Sequence, residues 1–489
     1  TLEAASAYHP QVYWADGLEQ VEKDEARPQQ QLSLLGPTAD EPTRASLTRP
    51  EVRAALRPVL AGQFEAVVAN PPYITEKDPA RKTYHREKIG KRQRYVSAYR
   101  EYSLGCPFTE RCFQLARDGG YVGLLTSNNF MKREFGAPLI EQVLAGKDLT
   151  LVVDTSQAYI PFHGTPTVLL FGRQQAPVGD AVPVVMGKRG ETGTPEKPAE
   201  GKVWQSIAAG WNQVGFETDY VSVAEVSRAK LAKHPWSLGG GGVAEVKAKL
   251  EYLAQPLSQI VEPPIGRTVR IGADEIFVAQ PVDFRRRGFS NEHLKPIVVG
   301  EQVRDWSLGA SDCVFYPYHP KSREPVDEHD ASWADDIKRL YPWMQLLGQR
   351  ATFQGVMKDA GLPWYVFMQH TPSAYRTPLS IALAEVATHN HFVLDRGGKV
   401  FKQTAPLIKL PGGATEDEHL ALLGVLNSST VCFWMKQVCF PKGTATRDTM
   451  VPENNRFAFS ATALLSMPIP GGINENADLI ALTREITRA

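Results

Sequence analysis

Asn70-Pro71-Pro72-Tyr73 is the stretch whose residue types and spacing could do chemistry. Asn70 carries a side-chain carbonyl. Pro71 has a backbone carbonyl beside Pro72, which has no N–H, and Tyr73 carries a flat ring. Two acceptors next to an aromatic plate suit an amino group on a planar ring. The run before it, Phe64-Glu65-Ala66-Val67-Val68-Ala69, predicts a buried strand of a parallel sheet. Two successive prolines cannot continue a strand, because each lacks a donor and fixes φ. The chain must turn at Asn70, at the carboxyl end of the strand, where open α/β sheets place ligands.

Cations form the second group of candidates. Lys77 to Arg100 holds nine Lys or Arg against two acidic residues, interleaved with Tyr84, Tyr95 and Tyr99. Lys91, Arg92 and Arg94 are its candidate phosphate contacts, because basic residues among aromatics suit nucleic acid. Arg285-Arg286-Arg287 reads as a basic loop able to contact phosphates or grip guanine. His389-Asn390-His391 reads as the polar start of a strand leading into Val393-Leu394, and not as a nuclease signature. Asp274-Glu275 and Asp283 form no recognisable cleavage site. The five cysteines, at 106, 112, 313, 432 and 439, contain no C-x-x-C pair. Neither a disulfide framework nor a zinc ribbon follows, and no metal is expected.

Around these residues the totals are those of a globular protein of 489 residues, long enough for two to four domains. Lys plus Arg and Asp plus Glu are 54 each, so affinity for nucleic acid must come from local asymmetry. No apolar run is long enough to span a bilayer and no leader pattern opens the sequence; the expectation is a cytoplasmic protein without a membrane partner. Helices are expected at 50–61, 108–116 and about 138–144, and strands at 121–126, 149–153 and 168–171. Alternation at this spacing predicts a doubly wound sheet, its last pair forming an antiparallel edge. Residues 174–222 read as a linker or hairpin excursion, and Gly239 to Gly242 as a flexible join. Short strands among aromatics predict a second, α+β domain over 223–489.

Residues 12–172 resemble the catalytic domain of amino-specific adenine DNA methyltransferases, in particular the large single-chain enzymes of type IIG restriction–modification and of BREX phage defence. Val12 to Leu18 is similar to the family's acidic strand end, which implies that Asp16 contacts S-adenosylmethionine. Asn70 to Tyr73 matches the catalytic motif. Tyr121 to Phe130 resembles the following strand with its Thr-Ser-Asn-Asn-Phe exit, and Phe162-His163-Gly164-Thr165 the late loop whose aromatic residue lies on the target base. The resemblance implies a Rossmann-like class I methyltransferase core over 1–173. It also implies S-adenosylmethionine as cofactor and duplex DNA as substrate, with the adenine flipped out of the stack between Tyr73 and Phe162. Other proteins of a defence system are expected partners. From about 225 to 470 the chain is similar, more weakly, to target-recognition domains, at His234-Pro235-Trp236, Leu294 to Gly300, Arg304-Asp305-Trp306 and Leu423 to Ser428.

The sequence departs from that family at its start. The glycine-rich cofactor loop has no counterpart, and the chain opens at Thr1 as if within a domain. A core incomplete at its N-terminus, holding cofactor poorly by itself, is therefore expected. Two further readings of the same residues stand beside methylation of adenine N6: methylation of a protein glutamine amide, and a non-catalytic DNA-binding specificity module.

Overall fold

The computed structural model describes Leu18 and residues 61–161, 164–191, 193–240, 242–262, 264–309, 312–352, 355–375, 378–442 and 456–488. Asp16 and Phe162 lie outside the described residues, as do the expected elements before residue 61. Contacts divide the chain into two units, the first running to Ala244 and the second starting at Glu245.

The first unit is built on one six-stranded mixed sheet. Its strands are β1 (Phe64–Ala69), β2 (Ala116–Ser127), β3 (Asp148–Asp154), β4 (Thr167–Arg173), β5 (Ala181–Gly187) and β6 (Val221–Ser227). They lie side by side in the order β1-β2-β4-β3-β5-β6. β1 and β2 are parallel, as are β3 and β5, while β4 runs antiparallel to both β2 and β3. The antiparallel pair expected at an edge is therefore interior. β6 pairs antiparallel with β5. Helix α1 (Pro79–Arg86) follows β1, α2 (Gly105–Leu115) precedes β2, and α3 (Lys202–Gly210) lies between β5 and β6 in sequence.

Two expectations fail here for physical reasons. The stretch 174–222 is not a linker: it supplies β5, α3 and the start of β6. Pro183 inside β5 argues against a strand in sequence, yet its neighbours Val182, Val184 and Val185 are fully buried and hold the strand by packing. β1, expected to be buried, is instead exposed along most of its length, with Val68 85% accessible. Among the described residues only β2 hydrogen-bonds it.

The core of this unit also takes in a segment that resembled a recognition domain. Trp236 is buried, its backbone N–H donates to Met131 at 2.7 Å, and its ring meets Phe130 edge-on at 5.7 Å. Its indole N–H donates to the Leu231 carbonyl at 2.8 Å. Tryptophan is tolerated so deep because its one polar atom is satisfied.

The second unit is assembled from shorter pieces. β7 (Leu294–Val298) and β8 (Cys313–Phe315) form a sheet with Val278–Ala279 and Val400–Phe401. β9 (Ser380–Leu383) lies between β10 (Phe392–Asp395) and β11 (Leu407–Ile408), antiparallel to both. Helix α4 (Glu416–Leu426) opens on a reciprocal cap: the Thr415 hydroxyl accepts from Glu418 N–H and the Glu418 carboxylate from Thr415 N–H. Its Leu420, Ala421, Leu422, Leu423 and Leu426 are buried in the larger of this unit's cores. Among the described residues no helix is long and apolar enough to cross a membrane.

Candidate active site

The strand directions gather the carboxyl ends of β1, β2, β3 and β5 on one edge of the sheet, together with the amino end of β4. Asn70 to Tyr73 leaves β1 at that edge, and Ser127 to Phe130 leaves β2 beside it. Asn70 is exposed, Pro71 buried and Tyr73 half-buried. The Tyr73 hydroxyl donates to Asn70 Oδ1 at 2.5 Å, and lies 3.3 Å from the Leu125 carbonyl of β2. Desolvation pushes the Tyr73 phenol above its ordinary value, so at neutral pH it stays a donor. The acceptor named from sequence is thus already oriented and occupied by a hydroxyl from within its own motif.

The segment after the turn is clamped by the run that opens α2. Leu104 N–H donates to the Ile74 carbonyl at 2.8 Å, Glu76 N–H to the Tyr102 carbonyl at 3.3 Å, and Thr75 bridges Ser103. The buried Glu76 carboxylate accepts from Lys77 and Asp78 N–H, both at 2.9 Å. At the head of α2 a side chain on Gly105 would meet Thr126 Oγ1 at 2.7 Å, so the helix can approach β2 only with glycine there. Sequence reading assigned none of these supports, because each joins backbone segments without a motif.

Asn129 is a further residue of interest. Its Oδ1 is buried without a hydrogen-bond partner, an acceptor placed just past β2. An unpaired buried carbonyl costs about 1–3 kcal/mol, which makes it a candidate for contact with a ligand donor. The Thr155 and Thr167 hydroxyls are 2.7 Å apart across the β3 and β4 ends. Leu18, two residues after Asp16, is buried, and its carbonyl accepts the Tyr95 hydroxyl at 2.5 Å.

The basic segments sort into two kinds. Lys91 and Arg92 are exposed around the turn at Gly90. Arg94 is not a solvent-facing cation: its side chain is 2% exposed, pairs with Glu87 at 3.0 Å and lies 4.0 Å over the Tyr84 ring. Tyr95 is fully buried. Arg285 and Arg286 end the short helix Pro281–Arg286 and are exposed, so the triplet is not in a loop. Arg287 caps that helix, reaches the Ile276 carbonyl at 3.2 Å and lies over the Phe289 ring at 5.0 Å. His391 and Asn390, read from the sequence as the polar start of a strand, are buried.

The Asn70 to Tyr73 turn thus leaves a strand end of a mixed α/β sheet, the place where such sheets hold ligands. Residues 16–162 match the family described as the Eco57I restriction-modification methylase. The adenine-specific methyltransferase PglX of Streptomyces coelicolor (strain ATCC BAA-471 / A3(2) / M145) is 38% identical over 495 residues, covering 96% of this chain and 40% of that protein. The type II methyltransferase M.PaeR7I of Pseudomonas aeruginosa is 25% identical over 350 residues, 70% of this chain and 55% of that protein. The chain thus spans about half the length of these relatives. A solved structure of the type IIL restriction-modification enzyme MmeI in complex with DNA aligns at TM-score 0.48 and 14% identity, covering 82% of this chain and 45% of that one.

Proposed function

We propose that the protein methylates adenine N6 at specific sites in duplex DNA, within a restriction–modification or BREX-like phage-defence system. The observation that carries this is the Asn70 carbonyl, held at a parallel strand end beside Tyr73. The lone pair of an exocyclic amine is delocalised into its ring, which makes it a poor nucleophile. Asn70 Oδ1 and the Pro71 carbonyl accept hydrogen bonds from its two N–H groups, which localises that lone pair on nitrogen. The Tyr73 ring stacks on the flipped base, with Phe162 as the second plate. Binding of the amine exchanges one donor for another at Asn70: the Tyr73 hydroxyl leaves as the substrate N–H arrives.

S-adenosylmethionine supplies the electrophilic methyl group. Asp16 would contact its adenine, and the partnerless Asn129 Oδ1 fits a donor arriving at the same edge. The stiff Pro71-Pro72 turn limits how far the amine can wander from the line of attack. In this proposal the first unit is a class I methyltransferase core. The second is a target-recognition domain in which Arg285 and Arg286 face DNA, with Lys91 and Arg92 reaching phosphates from the first.

The test is transfer of labelled methyl groups by the intact protein, with duplex DNA and protein acceptors offered in parallel and the DNA digested to nucleosides. Label in N6-methyladenine is expected; label in protein glutamine, or none in DNA, refutes the assignment. Tyr73→Ala should cost about 1–3 kcal/mol of base stacking. Tyr73→Phe keeps the ring and removes only the competing hydroxyl, so it should stay within tenfold of the parent.

A further inference from the structure

We propose that Asp305, His389 and His391 form a three-ligand site for a divalent transition-metal ion, with Zn²⁺ the best match to the donors. One ligand atom from each lies within 4.8 Å of the others. His391 Nδ1 is 2.7 Å from Asp305 Oδ1, and His389 Nε2 is 3.5 Å from Asp305 Oδ2. The two imidazole rings are 4.1 Å apart. Two imidazole nitrogens and one carboxylate are the donor set of open zinc sites, with a fourth position left for water.

The site is held from behind. The His389 and His391 rings face together, 4.1 Å apart, while the Asn390 side chain turns to other partners. Asn390 is buried, its amide donating to the Leu426 carbonyl at 2.7 Å and the Ser428 carbonyl at 3.2 Å. Asn427 holds Phe392 by both its amide N–H and its carbonyl. The last residue of α4 and the two that follow it therefore fix the orientation of the histidine pair. His389 Nδ1 is engaged by the Thr388 hydroxyl at 3.0 Å, which leaves Nε2 for the ion.

Asp305 arrives from a four-residue turn closed by the bridge between Val303 and Leu308. Trp306 in that turn has φ +68°. A bulky side chain in the left-handed region is unfavourable and persists where packing over-determines it; Trp306 packs against the unit's larger core. Bonds of about 2.0–2.2 Å to a tetrahedral ion separate ligand atoms by roughly 3.4 Å. The Asp305–His389 distance already matches. The Asp305–His391 contact must open by less than about 1 Å, and Asp305 is 54% exposed and able to move. The ion would join the 303–308 turn to the strand entry at β10, fixing the position of Arg304.

The test uses the 489-residue chain stripped with chelator, re-equilibrated with Zn²⁺ and desalted. About one Zn²⁺ per chain should remain, with a raised unfolding temperature, and both effects should be lost in His389→Ala and in Asp305→Asn. His389 and Asp305 are partly exposed, so both variants should fold; their metal-free unfolding temperature should match that of the stripped parent. With Co²⁺ in place of Zn²⁺, visible d–d bands without thiolate charge transfer are expected. No retained metal, equal retention in parent and variants, or a thiolate band would overturn the proposal.

Discussion

The two units place their polar chemistry in different ways. In the first, a continuous sheet brings strand ends from β1 and β2 to one edge, and the Asn70 turn follows from that geometry. In the second, most strands are two to five residues long, and convergence comes from loops held by side-chain hydrogen bonds. Asp305 and His391 are 86 residues apart and meet where the Asn390 and Asn427 amides tie residues 390–392 to the end of α4. Each unit also carries a basic segment in which some arginines, Arg94 and Arg287 among them, are structural parts while others face water. Charge counted along a sequence thus overstates the cations available to a phosphate.

The largest effect that would sharpen this contrast concerns the boundary between the units. Trp236→Ala should destabilise the first unit by about 3–5 kcal/mol, since a large buried ring leaves a cavity and an unpaired Leu231 carbonyl. Hydrogen exchange should report the loss in β2 and not in α4; the reverse would return residues 231–238 to the second unit.

Next comes the comparison of Arg94 with Lys91. Arg94→Ala removes the Glu87 pair and the stacking on Tyr84, for an expected loss of about 2 kcal/mol in denaturant melts. Lys91→Ala should leave stability within about 0.5 kcal/mol and instead weaken DNA binding. In the second unit Arg287→Ala should cost about 1–2 kcal/mol through its carbonyl and ring contacts. The smallest effect should come from Arg285→Ala combined with Arg286→Ala. Stability should hold, and the slope of log affinity against log salt should flatten by roughly 1.8 if both meet phosphates. An unchanged slope would remove that helix end from the DNA interface.

Much of the first unit was legible because its central strands are runs of β-branched and apolar residues, at 121–126, 149–153 and 168–171. β5 was hidden by the Pro- and Gly-rich sequence around it and by Pro183 within it. β6, with its Ser222 and Glu225, carries polar residues among its valines. The Asn70 turn was readable because proline chemistry is local. The bond from Tyr73 to Asn70, the clamp by 102–104 and the unpaired Asn129 were not, since each depends on tertiary neighbours. In the second unit most strands are two residues long and fall below any periodicity, so the sequence predicted short strands among aromatics and placed no helix at 416–426. Arg94 and Lys91 carry the same formal charge; only the position of Tyr84 and Glu87 separates them.

In the proposed mechanism Asn70 works on the amino group and does little to hold DNA. The direct measurement is methyl transfer and DNA affinity, side by side, for the intact protein and its Asn70→Ala variant. Removal of one preorganised polar contact to the reacting centre should lower the rate about 10²–10³-fold. The dissociation constant for DNA should stay within about twofold, because Asn70 is neutral and makes no phosphate contact in this account. Methyl transfer within tenfold of the parent would contradict it, as would a parallel collapse of DNA binding.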